Sequence, residues 1–191
     1  DDLPTPTAVI MSMSEFLRSS GGLILLISII SFVAIFKYLV AKSYSIRKSF
    51  HQFVLKMPIF GNLLQKSILA KVSMVLGNLN QAGVDLIESI DIAKSVTTNT
   101  IVIEALENVK KGVFSGETLT DIFNKEKVFP STFSQLISVG EQTGSLDDMF
   151  GSVASYYEEE FDVAVGNLSS LIEPIMIVFM GITIGGLMLA M

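Results

Sequence analysis

Few side chains in this sequence could carry out chemistry, and their spacing limits what they could do. Cys is absent and His51 is the only histidine. Thiolate nucleophiles, iron–sulfur clusters, cysteine zinc centres, disulfides and any site needing two imidazoles are therefore excluded. No GxxxxGK[ST], GxGxxG, HExxH or GxSxG run occurs, which removes the phosphate cradle, the zinc-hydrolase helix and the serine nucleophile elbow. What remains is acidic. Glu158, Glu159, Glu160 and Asp162 offer the oxygen ligands that calcium and magnesium take, but neighbours on a helix point about 100° apart, so one helix cannot close a shell with them. A solvated face, or a docking patch for a basic partner, is the expectation. Glu173 directly precedes Pro174 and an apolar run. Deep in a bilayer such a carboxylate costs about 2.5–3.5 kcal/mol and marks function; at headgroup level it stabilises the first helical turn through the dipole. The residues leave both open. Glu141 lies in Val139-Gly140-Glu141-Gln142-Thr143-Gly144-Ser145-Leu146, a small, polar, turn-forming stretch between apolar segments. His51 is expected to be solvated or interfacial, since no second residue stands ready to make it a ligand or a base. No catalytic residue, cofactor or metal site is expected.

These residues sit on a 191-residue chain that is 50% hydrophobic and only 17% charged, a composition that points to a membrane protein. Residues 21–36 carry no charge, and with Lys37 snorkelling the stretch to Ala41 gives about 20 residues of helix, enough to cross a bilayer core. A secretory signal peptide is the competing reading, but the segment is too long for an h-region and its basic residues follow it. Residues 174–191 form a second uncharged run, with Pro174 suited to a first helical turn. Charge is polarised: residues 21–71 hold seven basic residues and no acid, whereas 72–170 hold fifteen acids against five lysines. The net charge of −6 argues against nucleic acid as a main partner. Lys42, Arg47, Lys48 and Lys56 follow the first span while Arg18 alone precedes it, so the positive-inside rule places 42–170 in the cytoplasm and both ends outside. A start without Met and an end at Met191 directly after an apolar run suggest a piece of a longer protein.

Between the spans the periodicity is helical throughout and no stretch alternates with period two. Ile46, Phe50, Phe53 or Val54, and Met57 recur at helical spacing with Arg47, Lys48, His51 and Lys56 between them. This is a basic amphipathic helix leaving the membrane, either drawn to anionic headgroups or serving as a topology determinant. Pro58 and Gly61 end it, and Asn62 starts a helix with Leu64, Ile68, Val72, Val75 or Leu76, and Leu79 inward. Asp85 with Glu88 reads as a capping box, and Asn99 as the cap of a helix with Val102, Ala105 or Leu106, Val109 and Val113 inward. A short helix carries Leu119, Ile122 and Phe123, and Pro130 opens another through Leu136, Ile137 and Val139. Gly144 breaks that one. Ser145 with Asp148 then caps a long helix bearing Met149 or Phe150, Val153, Tyr156 or Tyr157, Val163, Leu168, Leu171 and Ile172, continuous with the second span. The fold class is all-α: a membrane protein with a cytoplasmic bundle of about six helices between two transmembrane helices. The divisions are 1–20 periplasmic loop, 21–41 transmembrane, 42–170 cytoplasmic bundle and 171–191 transmembrane. Gly181 and Gly185 form a GxxxG, a helix-packing motif common by chance that allows homo-oligomerisation.

The stretch from Val139 to Leu146 resembles the type II secretion system protein F family, polytopic platform proteins of type II secretion systems and type IV pili. Phe129-Pro130, then Gly140, Glu141, Thr143, Gly144 and Leu146, match the family's pattern. Agreement extends through Pro58, Gly61, Ala82-Gly83-Val84, Gly116 with Leu119, Tyr157-Glu158 and Glu173-Pro174, and the opening Leu3-Pro4-Thr5-Pro6-Thr7 is similar to the family's short external loop. Members have two homologous cytoplasmic helical domains and three spans, so this chain looks like the second half. The resemblance implies a non-enzymatic inner-membrane platform, its partners a cytoplasmic secretion or pilus ATPase, pilin or pseudopilin subunits and other inner-membrane assembly proteins. Gly140, Glu141, Thr143 and Gly144 are expected to hold the inter-helix turn, with Glu141 paired inside the bundle, in preference to contacting the ATPase directly. If residues 146–191 form one helix, motion of the bundle passes to the bilayer. Two alternatives stand beside this reading: a platform of a related archaeal-type or tight-adherence filament, and a small ion- or proton-coupled membrane protein using Glu173.

Overall fold

A computed structural model describes residues 20–190, so the expected external loop lies, but for its last residue, outside the described residues. Among those residues the chain is all helix, with no strand. The helices are α1 (Ser20–Lys42), α2 (Tyr44–Lys56), α3 (Phe60–Gln81), α4 (Leu86–Lys94), α5 (Thr100–Phe114), α6 (Leu119–Lys125), α7 (Ser131–Thr143) and α8 (Leu146–Ala190). Among the described residues they divide between two compact units: residues 47–166, and a second made of 20–46 together with 167–190.

The unit of residues 47–166 is built on one core. Leu69, Val72 and Leu76 of α3, Ile90 of α4, Val102, Leu106 and Val109 of α5, Phe123 of α6, Phe133 and Ile137 of α7, and Phe150 and Val153 of α8 are all fully buried. Phe123, Phe129 and Phe133 form a ring of three with centroids 4.8–4.9 Å apart, and each such pair adds about 0.5–1.5 kcal/mol beyond its area. Local signals place the helix ends. The side chains of Asp85 and Asn99 accept the backbone N–H groups of Ile87 and Ile101, each at 3.0 Å, which satisfies donors that the first turn would otherwise leave unpaired.

In the other unit, α1 and the last part of α8 carry exposed apolar residues all round, among them Ile24, Ile27, Phe32, Ile177, Phe179 and Ile182. Two helices, spanning Ile24–Lys42 and Leu146–Met188, are long and apolar enough to cross a membrane by length and composition. A helix apolar on every side and uncovered by protein matches a lipid surrounding.

Several expectations are corrected. Gly61 does not break a helix; it lies buried in the first turn of α3, where a Cβ would overlap the Leu55 carbonyl oxygen. The reversal falls on Ile59 instead. Val139 is exposed, and Phe133 fills the core from α7. Along α8 the buried stripe is Phe150, Val153, Ala154 and Tyr157, whereas Val163, Leu171 and Ile172 are exposed. Pro174 is not in a first turn but inside the 45-residue α8, where it has no N–H to donate to the Ser170 carbonyl.

Candidate functional site

The α7–α8 corner gathers most of the singled-out residues, and its backbone explains their types. Gly144 has φ +73°, left-handed territory open to Gly without the Cβ penalty. That conformation lets the Gly144 and Ser145 N–H groups turn back to the Gly140 carbonyl, Ser145 at 3.0 Å, closing the last turn of α7 as a Schellman motif. Gly83 and Gly116 end α3 and α5 in the same way, with Val84 N–H on the Leu79 carbonyl and Glu117 N–H on the Gly112 carbonyl. Thr143 donates its hydroxyl to the Val139 carbonyl at 2.8 Å and shares a 2.7 Å bond with the Ser145 hydroxyl. Gly140 is buried, and a Cβ on it would lie 2.5 Å from Cγ of Met149 and 3.2 Å from the Ser145 carbonyl oxygen. Its missing side chain is the space into which α8 packs. Leu146 is half-buried against the core.

Glu141 reaches out of this corner to a third helix. Its Oε1 accepts the Leu119 N–H at 2.7 Å, and its Oε2 accepts the Thr120 N–H at 3.1 Å and the Thr120 hydroxyl at 2.7 Å. Leu119 and Thr120 are the first two residues of α6, and the third N–H, of Asp121, goes to the Thr118 hydroxyl at 3.2 Å. Every amide at the head of α6 therefore has a partner, two of them supplied by a carboxylate where the helix dipole favours negative charge. Glu141 does find its partners within the bundle. They are backbone amides rather than a counter-charge. Pro130 stands at the opposite end of α7, its carbonyl accepting the Phe133 N–H at 2.9 Å, with Phe129 anchored in the aromatic ring beside it.

The remaining candidates are not brought to this corner. Glu173, Gly181 and Gly185 lie on the last part of α8, with Glu173 exposed and open space around both glycines. Of the acidic run, Glu160 pairs with Lys66 of α3 at 2.7 Å, which ties α8 to α3; Glu158, Glu159 and Asp162 are exposed. No group of three His, Cys, Asp or Glu that could hold a metal ion occurs among the described residues.

His51, expected to be solvated or interfacial, is half-buried at the edge of the bundle and has a partner. Its Nδ1 accepts the Thr100 N–H at 3.0 Å and lies 3.1 Å from the Thr100 hydroxyl, so the imidazole caps α5 together with Asn99. Desolvation, and secondarily the Arg47 charge, hold its pKa below the ordinary histidine value. Burial also pushes the Tyr157 phenol up to about 12, with smaller contributions from Tyr156 and Glu160. The caps by His51 and Glu141 join residues 49 and more than 20 positions apart, so no local spacing rule could have shown them.

A chain of these helices, with a glycine-turned corner capped by Glu141, can now be set beside known proteins. A family model described as type II secretion system (T2SS), protein F, matches residues 73–191. The chain belongs to the type II secretion system protein F family. Among similar proteins of this family, the type IV pilus assembly protein PilC of Pseudomonas aeruginosa is 36% identical over 190 residues, covering 100% of this chain and 50% of that protein. PilC of Thermus thermophilus is 34% identical over 185 residues, covering 96% and 45%. The type II secretion system protein F of Pseudomonas aeruginosa is 29% identical over 188 residues, covering 98% and 46%. The chain spans about half the length of the curated relatives it matches.

Proposed function

We propose that this chain forms part of a non-enzymatic inner-membrane platform of a type IV pilus or type II secretion machine, coupling a cytoplasmic assembly ATPase to polymerisation of pilin or pseudopilin subunits. It works as a homo-oligomer among other inner-membrane assembly proteins and lipid. The observation that carries this reading is coverage: relatives named for pilus assembly and for type II secretion match the chain from end to end. Sidedness rests on charge. With the basic residues that follow the first span held inside, residues 21–41 and 171–191 cross the bilayer, 42–170 are cytoplasmic and 1–20 lie outside.

In this reading Pro130, Gly140, Glu141, Thr143, Gly144 and Leu146 are a frame rather than a contact surface. Glu141 is a positioning residue that holds α6 on α7. Glu173 and Pro174 mark the membrane entry of α8, Gly181 and Gly185 pack the span against a second copy, and α8 carries displacement of the bundle to the bilayer. A spin-label pair across Gly166 that reports a free hinge would remove that last element.

Two experiments test the whole. Thr143→Cys in the full-length protein should react with a membrane-impermeant maleimide in inverted vesicles and be protected in spheroplasts; labelling from the periplasmic side overturns the platform reading. Glu141→Gln should lose piliation or secretion in proportion to lost folding, with Glu141→Asp intermediate. A fully folded Glu141→Gln that no longer binds the ATPase would move Glu141 to the partner surface.

A further inference from the structure

Helix α2 is docked the opposite way round from an ordinary surface helix. At about 100° per residue, Ile46, Phe50, Phe53 and Met57 fall within an arc of about 60°, with Lys48, His51 and Leu55 on the far side. The bundle meets the second set. Lys48 bridges Glu104 at 2.5 Å, His51 caps α5 through Thr100, and Leu55 packs against the core. The apolar stripe is exposed most at Phe53, 65%, and between 36% and 39% at Ile46, Phe50 and Met57, with Phe50 also lining a cleft beside His51 and Leu64. The corner after α2 extends the stripe, presenting Ile59 and Phe60 at 50% and 57% exposure. That corner is strained: Ile59 sits at φ 70°, ψ −66°, a γ-turn with positive φ closed by the Phe60 N–H on the Pro58 carbonyl at 2.9 Å. For a β-branched residue this conformation costs about 1–3 kcal/mol and persists only where something else demands it.

We propose that α2 and the corner after it form an interfacial anchor, with Ile46, Phe50, Phe53, Met57, Ile59 and Phe60 bedded in the acyl–headgroup boundary of an anionic bilayer. The proposal rests on the reading of α1 as a membrane span. Three observations choose lipid over another occupant. Only Ser43 separates α2 from α1, so the stripe begins where a span ends. Lys56, exposed, falls about 90° to one side of the stripe, the level of the headgroups when an amphipathic helix lies half-immersed, while Arg47 at the same angle on the other side is half-buried against the bundle. No acid occurs anywhere from residue 21 to 71, so nothing in this segment repels an anionic surface.

Because the chain has no cysteine, single-cysteine labelling is unambiguous. The full chain is reconstituted in phosphatidylethanolamine–phosphatidylglycerol vesicles with an environment-sensitive fluorophore at Phe53→Cys, at Ser95→Cys on the bundle surface, or at Ile27→Cys within α1. The Phe53 label should be quenched by nitroxides on the upper acyl chain and shielded from aqueous iodide, at a depth of about 5–10 Å, while the Ser95 label is quenched by iodide. Lys56→Glu should raise iodide access at Phe53 in these vesicles. If Ile27 is in lipid and Phe53 is as open to iodide as Ser95, the anchor is overturned alone. If Phe53 is shielded from both quenchers and cross-links to a second copy, the stripe is a subunit contact and the anchor is overturned. If Ile27 itself is reached by iodide, the membrane reading fails and takes the anchor with it.

Discussion

Among the described residues four corners of the bundle turn the chain through positive φ, and two of them, α7–α8 and α2–α3, do it with opposite residue choices. Between α7 and α8 the reversing residue is Gly144, the amides at the head of α6 are all paired, and Thr143 and Ser145 bond each other. Between α2 and α3, which meet at 104°, the reversing residue is Ile59, and the apolar side chains around it face outward. The first corner satisfies every local rule and reads as scaffold. The second breaks a steric rule and a burial rule at the same place, a combination that points to a demand from outside the bundle. Both corners use a glycine where a Cβ would have no room: Gly140 against the Met149 side chain, and Gly61 against the Leu55 backbone carbonyl.

The largest expected effect separates these two glycines. Gly61→Ala places a methyl group onto backbone that cannot rotate away, and should cost about 3 kcal/mol or more; Gly140→Ala meets the Met149 Cγ, which can turn, and its Cβ at 2.6 Å, which can move only with the backbone, and should cost about 2 kcal/mol. Thermal unfolding of the detergent-solubilised chain ranks them, and the reverse order would mean the α2–α3 corner is the softer one. Next comes the capping carboxylate. Glu141→Ala strands two backbone amides and should lose about 2 kcal/mol, with Glu141→Gln losing about half of that because one oxygen is kept.

A paired substitution tests the strain itself. Gly144→Ala should destabilise by about 1–2 kcal/mol, whereas Ile59→Gly should stabilise by about 1 kcal/mol, the relieved strain being partly offset by the greater unfolded freedom of glycine. If Ile59→Gly destabilises as Gly144→Ala does, the two corners are not opposites. The smallest effect concerns His51. Its folded pKa is lowered, so below the unfolded value of about 6.5 the unfolded state binds the extra proton, and this contribution is present above that pH and fades as pH falls. Protonation would put a hydrogen on the Nδ1 that accepts the Thr100 N–H. A melt series from about pH 7.5 to 5.5 should therefore show a steeper loss for the parent chain than for His51→Gln.

Much of the architecture was legible because helical signals are local. Caps at Asp85 and Asn99, the break at Gly144, and the apolar positions Val72, Val102, Val109, Ile122, Phe123, Ile137, Phe150 and Val153 all follow from spacing within one turn or two. Gly61 was misjudged for the same reason: glycine after proline is a breaker signal, and the overlap it avoids involves a neighbouring helix.

The sequence by itself determined that this chain is all-helical and that two of its segments suit a bilayer, since both depend on neighbours one helical turn apart or on composition, and the motif residues between Phe129 and Leu146 carried the resemblance to the protein F family. Only the tertiary structure decided that Glu141 closes the head of α6, that His51 caps α5, and that α2 turns Lys48 and His51 toward the bundle and Phe53 out. Those facts depend on which residues distant in the chain come within about 3 Å of each other, and no periodicity encodes that.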